Sequence, residues 1–166
     1  MPAPQGFDPK LDLLLERLVD VPTDKVWRAW TEPEQLTKWF CPKPWWVSDC
    51  TLELKPGGRF DTVMRSPEGV PHPNEGCILE VVPGKRLVWT DALCAGFRPS
   101  SKGYASKGTA FSLTAVIELE PEGKGTRYRA WAMHADADGM KKHAEMGFSE
   151  GWGAALDQLV ELCVKG

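Results

Sequence analysis

The stretch from Phe148 to Val164, FSEGWGAALDQLVELCV, constrains the fold of this chain more than any other. Phe148, Trp152, Leu156, Leu159 and Cys163 recur at spacings of four, four, three and four, and Ala155 and Leu162 widen the stripe. That period predicts an amphipathic helix. Glu150, Asp157 and Glu161 fall between the apolar positions and give it a wet side. A helix of this length is marginal alone, so the stripe needs a surface to cover. The residues ahead of it read mainly as strands, which predicts an α+β chain with a curved antiparallel sheet wrapped around the terminal helix. Function then turns on whether the space between sheet and helix is filled or hollow.

Taken in order, Leu11 to Asp20 reads as a first strand. Thr23 is placed to cap a short helix over Asp24 to Trp30, and Pro33 opens a second through Trp39. Trp27, Trp30, Leu36 and Trp39 form the apolar underside of this pair. Cys41 to Trp46 holds two prolines and two tryptophans and reads as an irregular crossing. Val47–Leu54 and Arg59–Arg65 flank a Pro-Gly-Gly turn, and Gly76–Val82 and Arg86–Leu93 flank a Pro-Gly turn, so both pairs read as hairpins. Ser66 to Pro73, with three prolines, reads as a loop. Cys94 to Gly108 is a long polar loop that carries Arg98, Lys102 and Lys107 and no acid, a segment suited to draw an anionic ligand over a pocket mouth. Phe111, Leu113, Ala115, Ile117 and Leu119 alternate in the strand expected from Thr109 to Leu119, and Arg127 to His134 returns it. Ala135 to Met146 predicts a preliminary helix capped by Asp136 or Asp138, with a fresh start near Gly147. Gly147, Gly151 and Gly153 weaken the join and suggest close approach to the sheet or a lid that shifts.

At 166 residues the chain suits one domain over 1–166, with residues 1–9 as a flexible tail. A net charge of −3 offers no electrostatic footprint for nucleic acid. The start MPAPQGFDPK lacks the basic and apolar pattern of a leader, and no segment approaches the roughly 18 apolar residues of a membrane span. These features predict a cytoplasmic protein. Five scattered cysteines without a Cys-x-x-Cys pair suit reduced thiols and lack zinc spacing. Eight tryptophans supply large apolar surfaces, each with one N–H donor to place.

Dispersed motifs carry a resemblance. They are Val26-Trp27-Arg28-Ala29-Trp30-Thr31-Glu32-Pro33 with Trp39, Pro56-Gly57-Gly58-Arg59-Phe60, Gly76, and Glu80-Val81-Val82-Pro83 before Arg86-Leu87-Val88-Trp89-Thr90. Gly125-Thr126-Arg127 follows, then Glu150-Gly151-Trp152 before Leu156 and Leu159. In this order they resemble the START-like, pollen-allergen-like helix-grip superfamily, in the branch related to the C-terminal domain of the heat-shock-protein ATPase activator. The resemblance implies a seven-stranded curved antiparallel sheet gripping the long C-terminal helix, two short helices after the first strand, and a cavity between sheet and helix. It implies no catalytic residue and no cofactor. Superfamily members bind lipids, hormones or polyketides, and some are enzymes.

Strand alternation nominates the cavity lining. Phe60 and Met64 share one face, as do Leu87, Trp89 and Asp91. Phe111 and Leu113 share another, and Tyr128, Ala130 and His134 a fourth, opposite the exposed-looking Arg127 and Arg129. All are aimed at Trp152 and Leu156, with Trp39 from the short helices. Asp91 is in phase with Trp89, so the register that buries the ring turns the carboxylate inward. Glu80 is expected to pair with Arg17 or Arg59. His134 and His143 are placed to approach each other and Asp136 or Asp138, but the Asp136-Ala137-Asp138-Gly139 string lacks the later ligands of a calcium loop, and no metal is assigned. No nucleophile elbow, phosphate loop or dinucleotide fingerprint occurs.

The expected function is binding of a small hydrophobic or amphipathic ligand. The alternatives are a cyclase- or hydrolase-type enzyme using Asp91 with His134 or Tyr128, and a chaperone-interaction module. The partners to consider are therefore the small ligand, a second copy in a homodimer, or a chaperone.

Overall fold

The computed structural model describes residues 4–100 and 111–165. The strands are β1 (Asp12–Val19), β2 (Trp46–Leu52), β3 (Phe60–Arg65), β4 (Pro71–Asn74), β5 (Cys77–Val82), β6 (Arg86–Thr90), β7 (Leu93–Cys94), β8 (Arg98–Pro99), β9 (Leu113–Glu122) and β10 (Gly125–His134). The helices are α1 (Thr23–Thr31), α2 (Pro33–Leu36), α3 (Ala137–Glu145) and α4 (Phe148–Lys165). Five strands pair in the order β1-β10-β9-β6-β5, three in the order β2-β3-β4, and β7 pairs with β8. The first two groups meet where the Phe60 amide donates to the Gly76 carbonyl and Arg59 bridges Cys77. Every pairing is antiparallel.

The expected helix-grip architecture is present, with more strands than the seven foreseen. One addition is β4, inside the segment read as a loop. Pro71 and Pro73 fall two apart and so present their donor-less nitrogens on one side, which a strand bordered by a partner on only one side tolerates; Pro73 lies opposite Val63 and Pro71 opposite Arg65. The other is the β7–β8 hairpin, formed by the start of the predicted polar loop. Its Phe97 ring lies over Gly57, where φ is +81° and an added Cβ would come within 2.8 Å of the ring. Lys102 and Lys107, nominated for anion attraction, lie outside the described residues.

Period-two alternation divides the sheet as the sequence requires. Leu87, Ile117, Leu119, Tyr128 and Ala130 face α4 and join Leu156, Leu159 and Cys163 in the main core. On the opposite face Val88, Val116 and Trp131 form a smaller cluster. Part of the expected tail docks here, since Phe7 packs against this cluster. Arg127 and Arg129 are less exposed than their alternation suggested, at 21% and 15% for their side chains. Arg129 is tied to Glu16, and Arg127 to Glu122 at 2.8 Å. Glu80 pairs with neither expected arginine but with Arg86 at 3.0 Å. Arg17 instead reaches Asp157 of α4, and Arg59 reaches Asp61.

Helix starts depart from the sequence reading in one detail. Pro22 is the N-cap of α1 and makes no side-chain capping bond. The Thr23 hydroxyl turns away to Thr126 Oγ1 at 3.0 Å, and Thr126 Oγ1 donates to the Val21 carbonyl. Asp136 caps α3 by accepting from the Gly139 amide at 2.8 Å. Between α3 and α4 stands Gly147, whose φ of +90° favours glycine and ends one helix before the next begins.

Candidate functional site

Between the sheet and α4 lies an open-mouthed cavity of about 420 Å³. That is within the range of small-molecule sites, roughly 300–1,000 Å³. Several parts of the chain build its walls. The residues after α2 bring Trp39, Phe40 and Cys41, β3 brings Phe60, Thr62 and Met64, β6 brings Trp89, and α4 brings Phe148, Trp152 and Ala155. Rings meet edge to face: Phe60 with Trp89 at 4.9 Å between centroids, Trp30 with Trp39 at 4.8 Å and Phe40 with Phe60 at 5.7 Å. Such pairs fix the wall geometry beyond the effect of burial alone.

Nine nominated residues line this space: Trp39, Phe60, Met64, Trp89, Asp91, Phe111, Leu113, Tyr128 and Trp152. Two do not. Leu156 is 1% exposed and packed into the main core with Leu159 and Cys163. His134 stands one layer back, behind His143.

Polar groups at the cavity are few and mostly committed. The Trp39 indole donates to the Ala29 carbonyl at 2.9 Å. The Trp30 indole donates to the Tyr128 hydroxyl at 3.0 Å. Tyr128 is therefore an acceptor toward Trp30, and its own hydroxyl hydrogen has no acceptor among the described residues. Burial holds this phenol well above its ordinary pKa, against the opposing hydrogen bond from Trp30. The Trp89 indole N–H is buried without a partner. Asp91 does turn inward, yet it does not meet His134 or Tyr128 in the described bonds. Its Oδ1 accepts from the Ser112 hydroxyl and from the Leu113 amide at 2.9 Å. β9 begins at Leu113 among the described residues, and the expected start at Thr109 lies outside them.

The two histidines do approach. His134 Nε2 lies 2.9 Å from His143 Nδ1, and His134 Nδ1 lies 2.7 Å from the Leu11 carbonyl oxygen. Phe111 stacks on the His143 ring at 4.6 Å, while Phe148 and Trp152 present edges at 5.2 and 6.0 Å. Burial, reinforced by His134, lowers the His143 pKa to about 4. Asp136 is occupied as a helix cap, and no three potential ligands gather for a metal among the described residues. Sequence reasoning missed His143 as a wall residue, along with Phe40 and Phe148. The spacing of Phe148 to Trp152 carried a signal for the last. His143 reaches the cavity from within α3 and Phe40 from the segment that follows α2, and which segments meet at the cavity is not encoded by periodicity.

A curved antiparallel sheet closed by a C-terminal helix over an aromatic cavity defines a START-like, helix-grip protein. Within that class the chain belongs to the family described as Activator of Hsp90 ATPase homolog 1-like protein, whose model matches residues 20–163. A crystal structure of a protein from Nitrosomonas europaea is 52% identical, covers 96% of this chain and 97% of its own, and superposes with a TM-score of 0.89. A solution structure from Arthrobacter aurescens (23% identity, 95% and 88% coverage, TM-score 0.78) and a crystal structure from Rhodobacter sphaeroides (19%, 96% and 97%, 0.78) share the fold. No curated protein matches the chain. No helix among the described residues is long and apolar enough to cross a membrane.

Proposed function

We propose that this protein binds a small hydrophobic or amphipathic molecule in the cavity beneath α4. The observation that carries this reading is the 420 Å³ space itself, walled by aromatic rings and left open at one side. Close packing is the rule in protein interiors, and voids larger than a water are few. A cavity of this size between well-packed walls is thus a feature to be occupied. The nine lining residues foreseen from the sequence are the proposed contacts. The Tyr128 hydroxyl hydrogen is a donor awaiting an acceptor on the ligand. The five free cysteines support a cytoplasmic setting.

The test is a screen of fatty acids and fused aromatics by native mass spectrometry and tryptophan fluorescence quenching, repeated on Ala155→Phe. Wild type should retain at least one class, with quenching of the wall tryptophans, and the added ring should block it. Failure of every class to bind in both measurements removes the reading.

The enzyme alternative rests on Asp91 with Tyr128, which line the same cavity, whereas His134 stands behind the wall, bonded to His143 and Leu11. The family description names activation of the Hsp90 ATPase, but a recessed cavity gives a chaperone surface no support. Added to purified Hsp90, this protein should leave ATP hydrolysis unchanged.

A further inference from the structure

The hydrogen positions on the two histidines follow from their partners. A carbonyl oxygen only accepts, so His134 Nδ1, 2.7 Å from the Leu11 oxygen, carries a hydrogen. In the neutral ring its Nε2 then holds a lone pair. That lone pair faces His143 Nδ1 at 2.9 Å, so Nδ1 of His143 is the donor. A neutral His143 with its hydrogen on Nδ1 has a lone pair on Nε2. Among the described residues no group donates to that nitrogen, and it is not one of the buried polar atoms closed off from solvent. His143 lines the cavity. Both residues are more than nine-tenths buried, and for His143 that burial favours the neutral imidazole. The charged neighbour is Asp12, buried on β1 and acting on His134. Phe111, Phe148 and Trp152 surround the His143 ring and hold it against rotation toward another partner.

We propose that His143 Nε2 accepts the hydroxyl proton of a phenolic or enolic ligand, and that His134 is the positioning residue that keeps the His143 hydrogen on Nδ1. This rests on the cavity being the binding site. Largely apolar and ring-lined, with Glu75 and Asp91 as its acidic lining residues, the cavity accommodates an unsaturated ring, and the outward lone pair of His143 Nε2 selects a molecule that presents an O–H rather than an ether or a bare hydrocarbon.

The experiment compares naphthalene, 2-methoxynaphthalene and 2-naphthol by calorimetric titration of the whole protein at neutral pH. One added hydrogen bond should make 2-naphthol bind roughly five- to tenfold tighter than its methyl ether. His143→Phe should erase that preference, bringing the two affinities together. Equal affinities in wild type, or a preference that survives His143→Phe, overturn the proposal and leave the cavity reading standing. If none of the three binds, both fall for these aromatic ligands, and the fatty-acid arm of the screen decides the cavity alone. Nitrogen-15 imidazole shifts of the unliganded wild type give a measurement independent of any variant. Both histidines should show a hydrogen-bearing Nδ1 and a bare Nε2, and only 2-naphthol should move the His143 Nε2 signal. A hydrogen on His143 Nε2, as an imidazolium at His134 would impose, overturns the assignment.

Discussion

The indole of Trp30 on α1 donates to the hydroxyl of Tyr128 on β10 across 3.0 Å, in the interior next to the cavity. The bond ties the first helix to the middle of the sheet and decides which way the tyrosine hydrogen points. Because Trp30 occupies one lone pair of the oxygen, the hydrogen is released toward other acceptors.

Tyr128→Phe removes the acceptor and leaves the Trp30 N–H buried without a partner. An orphaned buried donor costs about 1–3 kcal/mol. Urea unfolding should show a lower midpoint with an unchanged slope. A midpoint equal to wild type would mean that water replaces the tyrosine oxygen.

His143 has a pKa of about 4 in the folded chain against an ordinary 6.5. Between those values the unfolded chain binds the extra proton, so this residue makes stability fall as pH drops from about 6.5 toward 4. The slope for one proton is at most about 1.4 kcal/mol per pH unit. Asp12, whose pKa burial raises, acts in the opposite sense, since the folded chain holds its proton longer. The difference between wild type and His143→Phe isolates the histidine. The difference in unfolding midpoint between wild type and His143→Phe should shift in favour of wild type as the pH rises from about 4 to about 6.5 and stay constant above that.

Gly151 sits in the first half of α4 with nothing within 4 Å of an added Cβ, whereas a Cβ at Gly153 would meet the movable end of Arg17 at 2.9 Å. Neither glycine serves the close approach to the sheet that the sequence suggested. Gly151→Ala should therefore stabilise the protein by about 0.5–1 kcal/mol through helix propensity. Thermal unfolding checks it, and a loss of stability would show that the helix needs flexibility there.

Burial raises the thiols of Cys41 and Cys50 to about 11, with Asp61 adding to the effect at Cys50. At pH 8 the thiolate fraction falls about a hundredfold relative to a thiol of pKa 9. Alkylation by iodoacetamide, followed residue by residue by mass spectrometry, should lag at both sites by that order. Rates matching a free peptide thiol would contradict their burial.

The terminal helix and the sheet faces were legible because they repeat. Leu87 with Trp89, and Tyr128 with Ala130, reached the core side by counting in twos, and the helical stripe named Leu156 and Leu159. What repetition does not carry was lost. The β4 prolines argued against a strand because edge position, which excuses them, is a property of the assembled sheet. Leu156 was assigned to the cavity wall because a stripe cannot say where along its length the sheet curves away. The partners of Thr23, Glu80 and Asp91 were set by which chain segments meet, as in Thr23 with Thr126, and a single sequence does not specify those meetings.

One side chain links the cavity mouth to the terminal helix. Gln158 of α4 donates to the carbonyls of Trp39 and Cys41 at 3.0 and 2.9 Å and accepts from the Lys43 amide at 3.0 Å. A single amide thus reads the backbone of the 39–43 segment at three points, and the segment travels with the helix as one piece. Access to the interior then resembles a hinged door whose jamb moves with it. The exchange of one backbone hydrogen, that of Lys43, becomes a clock for how often door and jamb part.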